Sequence, residues 1–246
     1  MARIFITGSS AGLGKLAAQS LIRQGHEVVL HARNEQRAKD AQQAVPDAEA
    51  TVIGDLSNIE GTKSLAKDVN ALGHFDSIIH NAGVYRASAR EILAVNTLAP
   101  YILTCLIQKP KRLIYLSSGM HKSGSPSFDR IKSGEGISYS DSKLHVVLLA
   151  KAVDRKWPEV YANAVDPGWV PTKMGGSGAP DDLQKGYETQ VWLAVSNDEE
   201  AKVSGRYFHH KKEANYNTKA DDSEAQESFL TCCEQITGIR FADNQT

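Results

Sequence analysis

The sequence predicts an α/β fold: a doubly wound parallel sheet of about seven strands with helices on both faces. Short apolar runs alternate with stretches of helical periodicity along the chain. Strands separated by helices of roughly 10 to 20 residues imply parallel pairing through right-handed crossovers. The first strand also runs straight into a glycine cluster that opens a helix, a junction suited to binding an anion.

The elements follow in order. Arg3-Ile4-Phe5-Ile6-Thr7 reads as a buried strand. Leu13 to Gln24 is helical, with Leu13, Leu16, Ala17 and Leu21 on one face and Gly25 as the stop. Glu27 to His31 is a second strand, and Glu35 to Ala44 a helix halted near Pro46. A strand at Ala50 to Ile53 precedes a helix at Ile59 to Leu72 and a strand at Phe75 to His80. A longer helix covers Ala89 to Gln108, and a strand Lys111 to Leu116. Tyr139 to Lys156 is a strong helix, followed by a strand at Val160 to Val165 and a helix at Gly186 to Ser196. A short strand at Arg206 to His209 and a helix at Glu224 to Ile236 close the pattern. His121 to Gly136 and Pro171 to Asp181 read as loops. No repeat and no linker divides the chain, so residues 1–246 read as a single domain.

Bulk composition excludes several roles. Lys and Arg number 28 against 29 Asp and Glu, so no basic excess exists to hold nucleic acid. No run of about 18 apolar residues suggests a membrane span, and the first residues lack a signal-peptide pattern. Cys105, Cys232 and Cys233 form no disulfide framework, which points to a reducing cytoplasm. His209, His210 and the scattered other histidines lack a metal-ligand frame and read as surface residues. No metal is expected.

In Thr7-Gly8-Ser9-Ser10-Ala11-Gly12-Leu13-Gly14, Gly8 permits a tight turn and Gly12 a close backbone approach to a pyrophosphate. Gly14 allows the helix to pack against the sheet. The glycine spacing departs from the common Rossmann fingerprint. With Thr7 it resembles the short-chain dehydrogenase/reductase family, and the resemblance extends to about Phe208. It implies cofactor contacts at Ser10, Leu13, Asp55 and Leu56. Asn81-Ala82-Gly83 resembles the family's Asn-Asn-Ala-Gly motif, with His80 in place of the first Asn. Pro167-Gly168 resembles its Pro-Gly motif, after which Val170 and Thr172 would meet the cofactor. Asn96 stands at the family's active-site Asn.

Tyr139 and Lys143, four apart on one helix, share a face. A free phenol, with a pKa of roughly 10, is a poor base near neutral pH. A nearby ammonium and a positive nicotinamide ring would draw it down. Ser117-Ser118 ends a strand at the sheet's carboxyl edge, where doubly wound folds bind ligands. The family alignment makes Ser118 the catalytic serine. It also has Lys143 hydrogen-bonding the cofactor ribose and Asn96 holding a water that links Lys143 to solvent.

Strand two ends in His31-Ala32-Arg33 without the acid that would bind an adenosine ribose 2′-OH. Arg33 suits a 2′-phosphate instead, so NADP(H) is preferred and NAD(H) remains possible. Tyr85, Met120, Phe128, Trp169, Val170 and Met174 would line a pocket for a largely apolar substrate, under a lid at Pro171 to Asp181. The expected activity is hydride transfer between the cofactor and a carbonyl or alcohol carbon of a small molecule. Enoyl reduction fits the Tyr-to-Lys spacing less well, and a non-catalytic NADP(H) sensor would not require Ser118, Tyr139 and Lys143 together. By resemblance, the helices at residues 89–108 and 139–156 would pair copies into a homodimer or homotetramer.

Overall fold

The computed structural model describes residues 1–242. Its strands are β1 (Arg3–Ile6), β2 (Glu27–Ala32), β3 (Ala50–Ile53), β4 (Ser77–His80), β5 (Arg112–Leu116), β6 (Tyr161–Asp166), β7 (Tyr207–His209) and β8 (Lys212–Glu213). They form one sheet in the order β3-β2-β1-β4-β5-β6-β7-β8. Pairing is parallel from β3 through β7, as the sequence predicts, and β8 alone runs antiparallel. The eighth strand was not expected. It has two exposed charged residues and no β-branched or aromatic signal. His210 and Lys211 turn the chain at φ 50° and 61°, as a two-residue hairpin requires, and the charges blunt the sheet edge.

The helices are α1 (Gly12–Arg23), α2 (Glu35–Ala44), α3 (Ile59–Ala71), α4 (Ala89–Ile92), α5 (Ala99–Leu106), α6 (Phe128–Ser133), α7 (Tyr139–Lys156), α8 (Leu183–Val195) and α9 (Ser223–Thr237). The strands are apolar on both sides, as sheets sandwiched between helices must be. Alternation along each strand therefore splits the interior in two. Ile4, Ile6, Val28, Leu30 and Val165 pack with Ala17 and Leu21 of α1, Ala41 of α2 and Leu193 of α8. Phe5, Val29, Ile78, Leu113 and Ala164 pack with Leu65 of α3, Tyr101 of α5, Val147 of α7 and Phe229 of α9.

Two stretches depart from the sequence reading. The helix expected over 89–108 is α4 and α5 joined by a π turn at Leu93–Leu98, which inserts extra backbone and carries Asn96. The loop expected over 121–136 contains part of a 3₁₀ turn, Gly119–Ser123, and all of α6. Ile131 of α6 is fully buried, and its cover is α9, roughly a hundred positions away, so no local pattern could reveal it.

α7 is enclosed along most of its length, from Asp141 to Val153. Part of its cover is α9, and the following segment continues it. Trp157 Nε1 donates to the Ala242 carbonyl at 2.8 Å, Tyr101 Oη donates to the Ile239 carbonyl at 2.7 Å, and Phe241 stacks on Trp157. No helix among the described residues is long and apolar enough to cross a membrane.

The surface assignment of the histidines is corrected. His31, His80, His121 and His145 are buried, each at 5% exposure or less. His80 stacks on Tyr115 and lies 3.4 Å from Thr104 Oγ1. Burial pushes all four below the usual 6.5, His80 to about 3 and His145 to about 4. The folded chain keeps these rings neutral, whereas the unfolded chain protonates them as pH falls through 6.5. Their stabilising contribution is therefore complete above pH 6.5 and is lost as pH falls toward the depressed folded values. Each such proton steepens the loss by about 1.4 kcal/mol per pH unit. Between about pH 6 and pH 5, the unfolding free energy from urea titration should fall less steeply for His145→Gln than for the wild type, by close to that amount. Equal slopes would remove His145 from the set.

Candidate active site

The site forms at the carboxyl ends of β1, β4, β5 and β6, where the chain reverses direction across the sheet. A cleft of about 590 Å³ opens there. Its floor is the turn after β1. Gly8, at φ 64°, lies against Ala82, where a Cβ would come within 2.9 Å of the Ala82 Cα. Gly12, at φ 57°, opens α1, and a Cβ there would meet nothing within 4 Å. Ala11 gives α1 no side-chain cap, whereas Asn34, Asn58, Ser138, Asp182 and Asp222 cap α2, α3, α7, α8 and α9. The first N–H groups of α1 thus face open space, a cradle that fits a phosphate.

Gly14 lies behind this floor. A Cβ on it would strike the Asn81 carboxamide and lie 2.8 Å from the Gly8 carbonyl oxygen. Asn81 Nδ2 donates to the Thr7 carbonyl at 3.0 Å and the Gly8 carbonyl at 3.1 Å, and the Ala82 N–H donates to Thr7 Oγ1 at 3.0 Å. β1 and β4 are clipped together at the cleft.

Of the other expected cofactor contacts, Ser10, Leu13, Arg33, Asp55, Leu56, Ala82, Gly83, Pro167 and Thr172 line the cleft. Arg33 is exposed at its rim. Asp55 Oδ1 accepts from the Ser57 N–H at 3.0 Å. Gly168 and Val170 stand behind the wall. Gly168 has φ 78° and abuts Asp181, and the Val170 side chain is buried next to Gly186.

Tyr139 is the first residue of α7, presented by a capping box between Ser138 and Asp141. Lys143, one turn on, is 5% exposed and lines the cleft with Tyr139. Lys143 Nζ donates to the Leu116 carbonyl at 2.8 Å and sits 5.5 Å from the centre of the Tyr139 ring. Burial pushes Lys143 down to about 8, with Asp166 opposing. Burial pushes Tyr139 up to about 12, the Ser118 hydroxyl opposes, and Asp166 and Tyr85 add to the rise. The protein's own groups thus favour the protonated phenol, and the lowering expected from an ammonium together with a positive nicotinamide ring does not arise from the chain alone. Removing phenolate from water costs more than the hydrogen bond from Ser118 recovers.

Ser118 caps the 3₁₀ turn after β5, its Oγ accepting from the Met120 N–H at 3.3 Å. Asn96 is buried. Its Oδ1 accepts from the Val84 N–H at 2.8 Å, and its Nδ2 donates to the Val84 carbonyl and to Ser142 Oγ. A Cβ on Gly83 would touch both Lys143 Nζ, at 3.3 Å, and Asn96 Oδ1, at 3.4 Å, so these groups converge over that glycine.

Among the expected pocket residues, Tyr85 and Met174 line the cleft, and Met120 and Trp169 are exposed nearby on the loops after β5 and β6. The Tyr85 ring meets the Tyr139 ring edge-on at 4.7 Å. Phe128 is turned into the core instead, at the start of α6. The sequence reading missed His31. Its Nδ1 accepts from the Gly8 N–H at 2.9 Å, its Nε2–H donates to the Gly54 carbonyl at 2.9 Å, and its own N–H donates to Ser9 Oγ at 2.8 Å. Ser117, named there only as half of the strand-end pair, donates its Oγ to the Lys143 carbonyl at 2.8 Å, a contact the sequence did not suggest. Neither contact follows from a spacing motif; one is visible only once β1, β2 and β3 lie side by side, the other only once α7 packs on β5.

A family model described as short chain dehydrogenase matches residues 2–182. The chain is 46% identical to an uncharacterized oxidoreductase of Emericella nidulans, over 97% of this chain and 98% of that one. It is 40% identical to the short-chain dehydrogenase chyC of Penicillium rubens, over 98% and 99%. Among solved structures it resembles an uncharacterized protein from Mycobacterium paratuberculosis, with a TM-score of 0.81 at 20% identity over 98% of this chain and 95% of that one. A blue fluorescent protein from a metagenomic library, solved in complex with NADPH, gives a TM-score of 0.70 at 18% identity over 85% and 95%.

The two glycines of the floor should respond differently to a methyl group. Gly14→Ala must displace Asn81 or the Gly8 carbonyl and should cost about 1–3 kcal/mol of unfolding free energy. Gly12→Ala places its methyl in open space and pays only backbone strain, about 1 kcal/mol. Urea titration of both variants reads the difference, and a Gly14→Ala midpoint at or above that of Gly12→Ala would show that the Asn81 clip yields freely.

Proposed function

The chain belongs to the short-chain dehydrogenase family, and on that premise we propose that it transfers a hydride between NADP(H) and a carbonyl or alcohol carbon of a largely apolar small molecule. The observation that carries this reading is the placement of buried Lys143 and half-buried Tyr139 on one turn of α7, in the same cleft as the uncapped start of α1. Bound in that cleft, the cofactor would supply or take the hydride.

The chain's residues divide the remaining work. The α1 N–H groups, with Gly8, Ser10, Gly12 and Leu13, hold the pyrophosphate, and Asp55 and Leu56 border the adenine. Asn81, Ala82, Gly83, Pro167, Gly168, Val170 and Thr172 shape the nicotinamide end. Tyr139, kept protonated by burial, gives its phenolic proton to the carbonyl oxygen during reduction and takes it back in the reverse direction. Ser118 donates to the same oxygen as negative charge grows there. Lys143 spends one of three N–H donors on Leu116, which leaves two for the cofactor ribose and the proton path beside Asn96. Tyr85, Met120, Trp169 and Met174 supply apolar surface for the substrate.

Arg33 supports NADP(H). It is exposed at the rim of the cleft after β2, where no acid stands to meet a ribose hydroxyl, and its forked donors suit a phosphate. The NADPH held by the structurally similar blue fluorescent protein agrees with this choice. The free thiols Cys105, Cys232 and Cys233 fit work in a reducing cytoplasm. Residues 1–246 act as one cofactor-binding and catalytic unit.

Two measurements test the assignment. A panel of aldehydes, ketones and alcohols, followed by the absorbance of reduced cofactor, identifies a turned-over compound. With it, Tyr139→Phe should lower kcat by at least ~10²-fold while the NADPH dissociation constant stays close to wild type. Near-normal turnover in the folded variant would overturn the role of Tyr139. Arg33→Ala should weaken NADPH much more than NADH, by about tenfold or more, the scale of a charge-assisted contact. Equal losses would refute the cofactor preference.

A further inference from the structure

His121 lies three residues beyond Ser118, inside the 3₁₀ turn, and is fully buried. Its two ring nitrogens are committed in opposite senses. Nδ1 lies 2.7 Å from the Ser118 carbonyl oxygen, which can only accept, so Nδ1 carries the proton. Nε2 lies 3.2 Å from the Asn217 N–H, which can only donate, so Nε2 is the acceptor. One neutral tautomer satisfies both bonds, and burial favours the neutral ring. The ring also packs against Tyr207, with centroids 4.4 Å apart.

The far end of this connection is itself anchored. Asn217 Nδ2 donates to the Lys122 carbonyl at 3.3 Å and to the Gly124 carbonyl at 3.1 Å. Asn217 thus grips the turn on both sides of its last residues, and His121 carries the grip through to Ser118. Asn217 lies beyond residues 2–182, the part matched by the family model. Apart from this connection, the turn packs against α7, where Ser123 Oγ meets Ser140 Oγ at 3.2 Å, and no side chain of that helix bonds the Ser118 backbone.

We propose that His121 and Asn217 form a brace that positions Ser118, so that a segment late in the chain sets the geometry of the serine at the site. The proposal rests on the role given to Ser118 above. His121 does not touch the substrate; it acts through the Ser118 backbone. A displacement on the order of 1 Å at a reacting group can cost about 10²-fold in rate.

The test uses the full-length chain and the carbonyl compound found by the panel. His121→Ala should lower kcat by about 10- to 100-fold, with little change in the NADPH dissociation constant. His121→Asn places an amide N–H where Nδ1–H stood and should recover much of the loss. Asn217→Ala, which removes only the side-chain grip on the turn, should give a smaller fall in the same direction, and it serves where His121→Ala folds poorly. Adding His121→Ala to Ser118→Ala should cost little more than Ser118→Ala alone, because residues that act as a unit are not additive. Nitrogen NMR of the histidine side chains should show His121 protonated at Nδ1 only.

Each contrary result has its own meaning. If Ser118→Ala keeps wild-type kcat, the assignment of Ser118 fails and the brace fails with it. If Ser118→Ala loses kcat while folded His121→Ala and Asn217→Ala keep it, the brace is wrong and Ser118 stands. Fully additive losses, or a His121 protonated at Nε2, overturn the brace as well.

Discussion

The Asn81 carboxamide, just past the end of β4, hydrogen-bonds the Thr7 and Gly8 carbonyls just past the end of β1. Thr7 returns the contact through its hydroxyl. β1 and β4 are adjacent in space but separated by three helical crossovers in the chain, through α1, α2 and α3, so no local turn holds their ends in register. An unpaired buried carbonyl costs roughly 1–3 kcal/mol, and this amide satisfies two of them. Its position dictates a glycine at 14, which sets how closely α1 approaches the sheet. That approach aims the uncapped helix start into the cleft. Displacing the amide would loosen the floor of the cleft and the seating of α1 together.

At the other end of the cleft, burial sets the proton inventory. Tyr139 and Lys143 are driven in opposite directions by the same cause, since each loses water around its charged form. The phenol is left holding its proton, and the ammonium is left easier to discharge. This division suits a site that must deliver a proton to a carbonyl oxygen and replace it from nearby. Asp166, at the end of β6, opposes the effect of burial on Lys143 and adds to it on Tyr139, which keeps both groups protonated. Electrostatic control is therefore spread over α7 and the ends of β5 and β6.

Much of this was legible in the chain. The alternation of Ile4, Phe5 and Ile6 with helical runs defines the sheet, and α7 begins and ends where the pattern from Tyr139 to Lys156 places it. Gly8, Gly12, Tyr139 and Lys143 could be picked out because their chemistry depends on local spacing, which a sequence displays directly. The failures share the opposite property. His31, His121 and Ser117 matter through bonds to residues 23 or more positions away, or through burial, and a lone histidine or serine carries no sign of either in its neighbours. The π turn around Asn96 differs from an α-helix by one hydrogen-bond step, too small a change to alter the apolar pattern. α6 and β8 are short, and their partners or charges hide them.

The split of the interior by strand alternation has an evolutionary reading. Ile4 and Phe5 are consecutive residues, yet they belong to different clusters separated by a layer of hydrogen-bonded backbone. The α1, α2 and α8 side and the α3, α5 and α7 side pack as separate apolar clusters, so changes of volume at well-separated positions of the two should add nearly independently. A lineage can therefore rebuild one flank while the other is held under selection. The flank carrying α7 and α9 bears the proposed proton chemistry and the late segment proposed to brace it, and the flank carrying α1 bears the uncapped helix start. The sheet acts as a firewall between two adaptive histories written in alternating letters of the same strands.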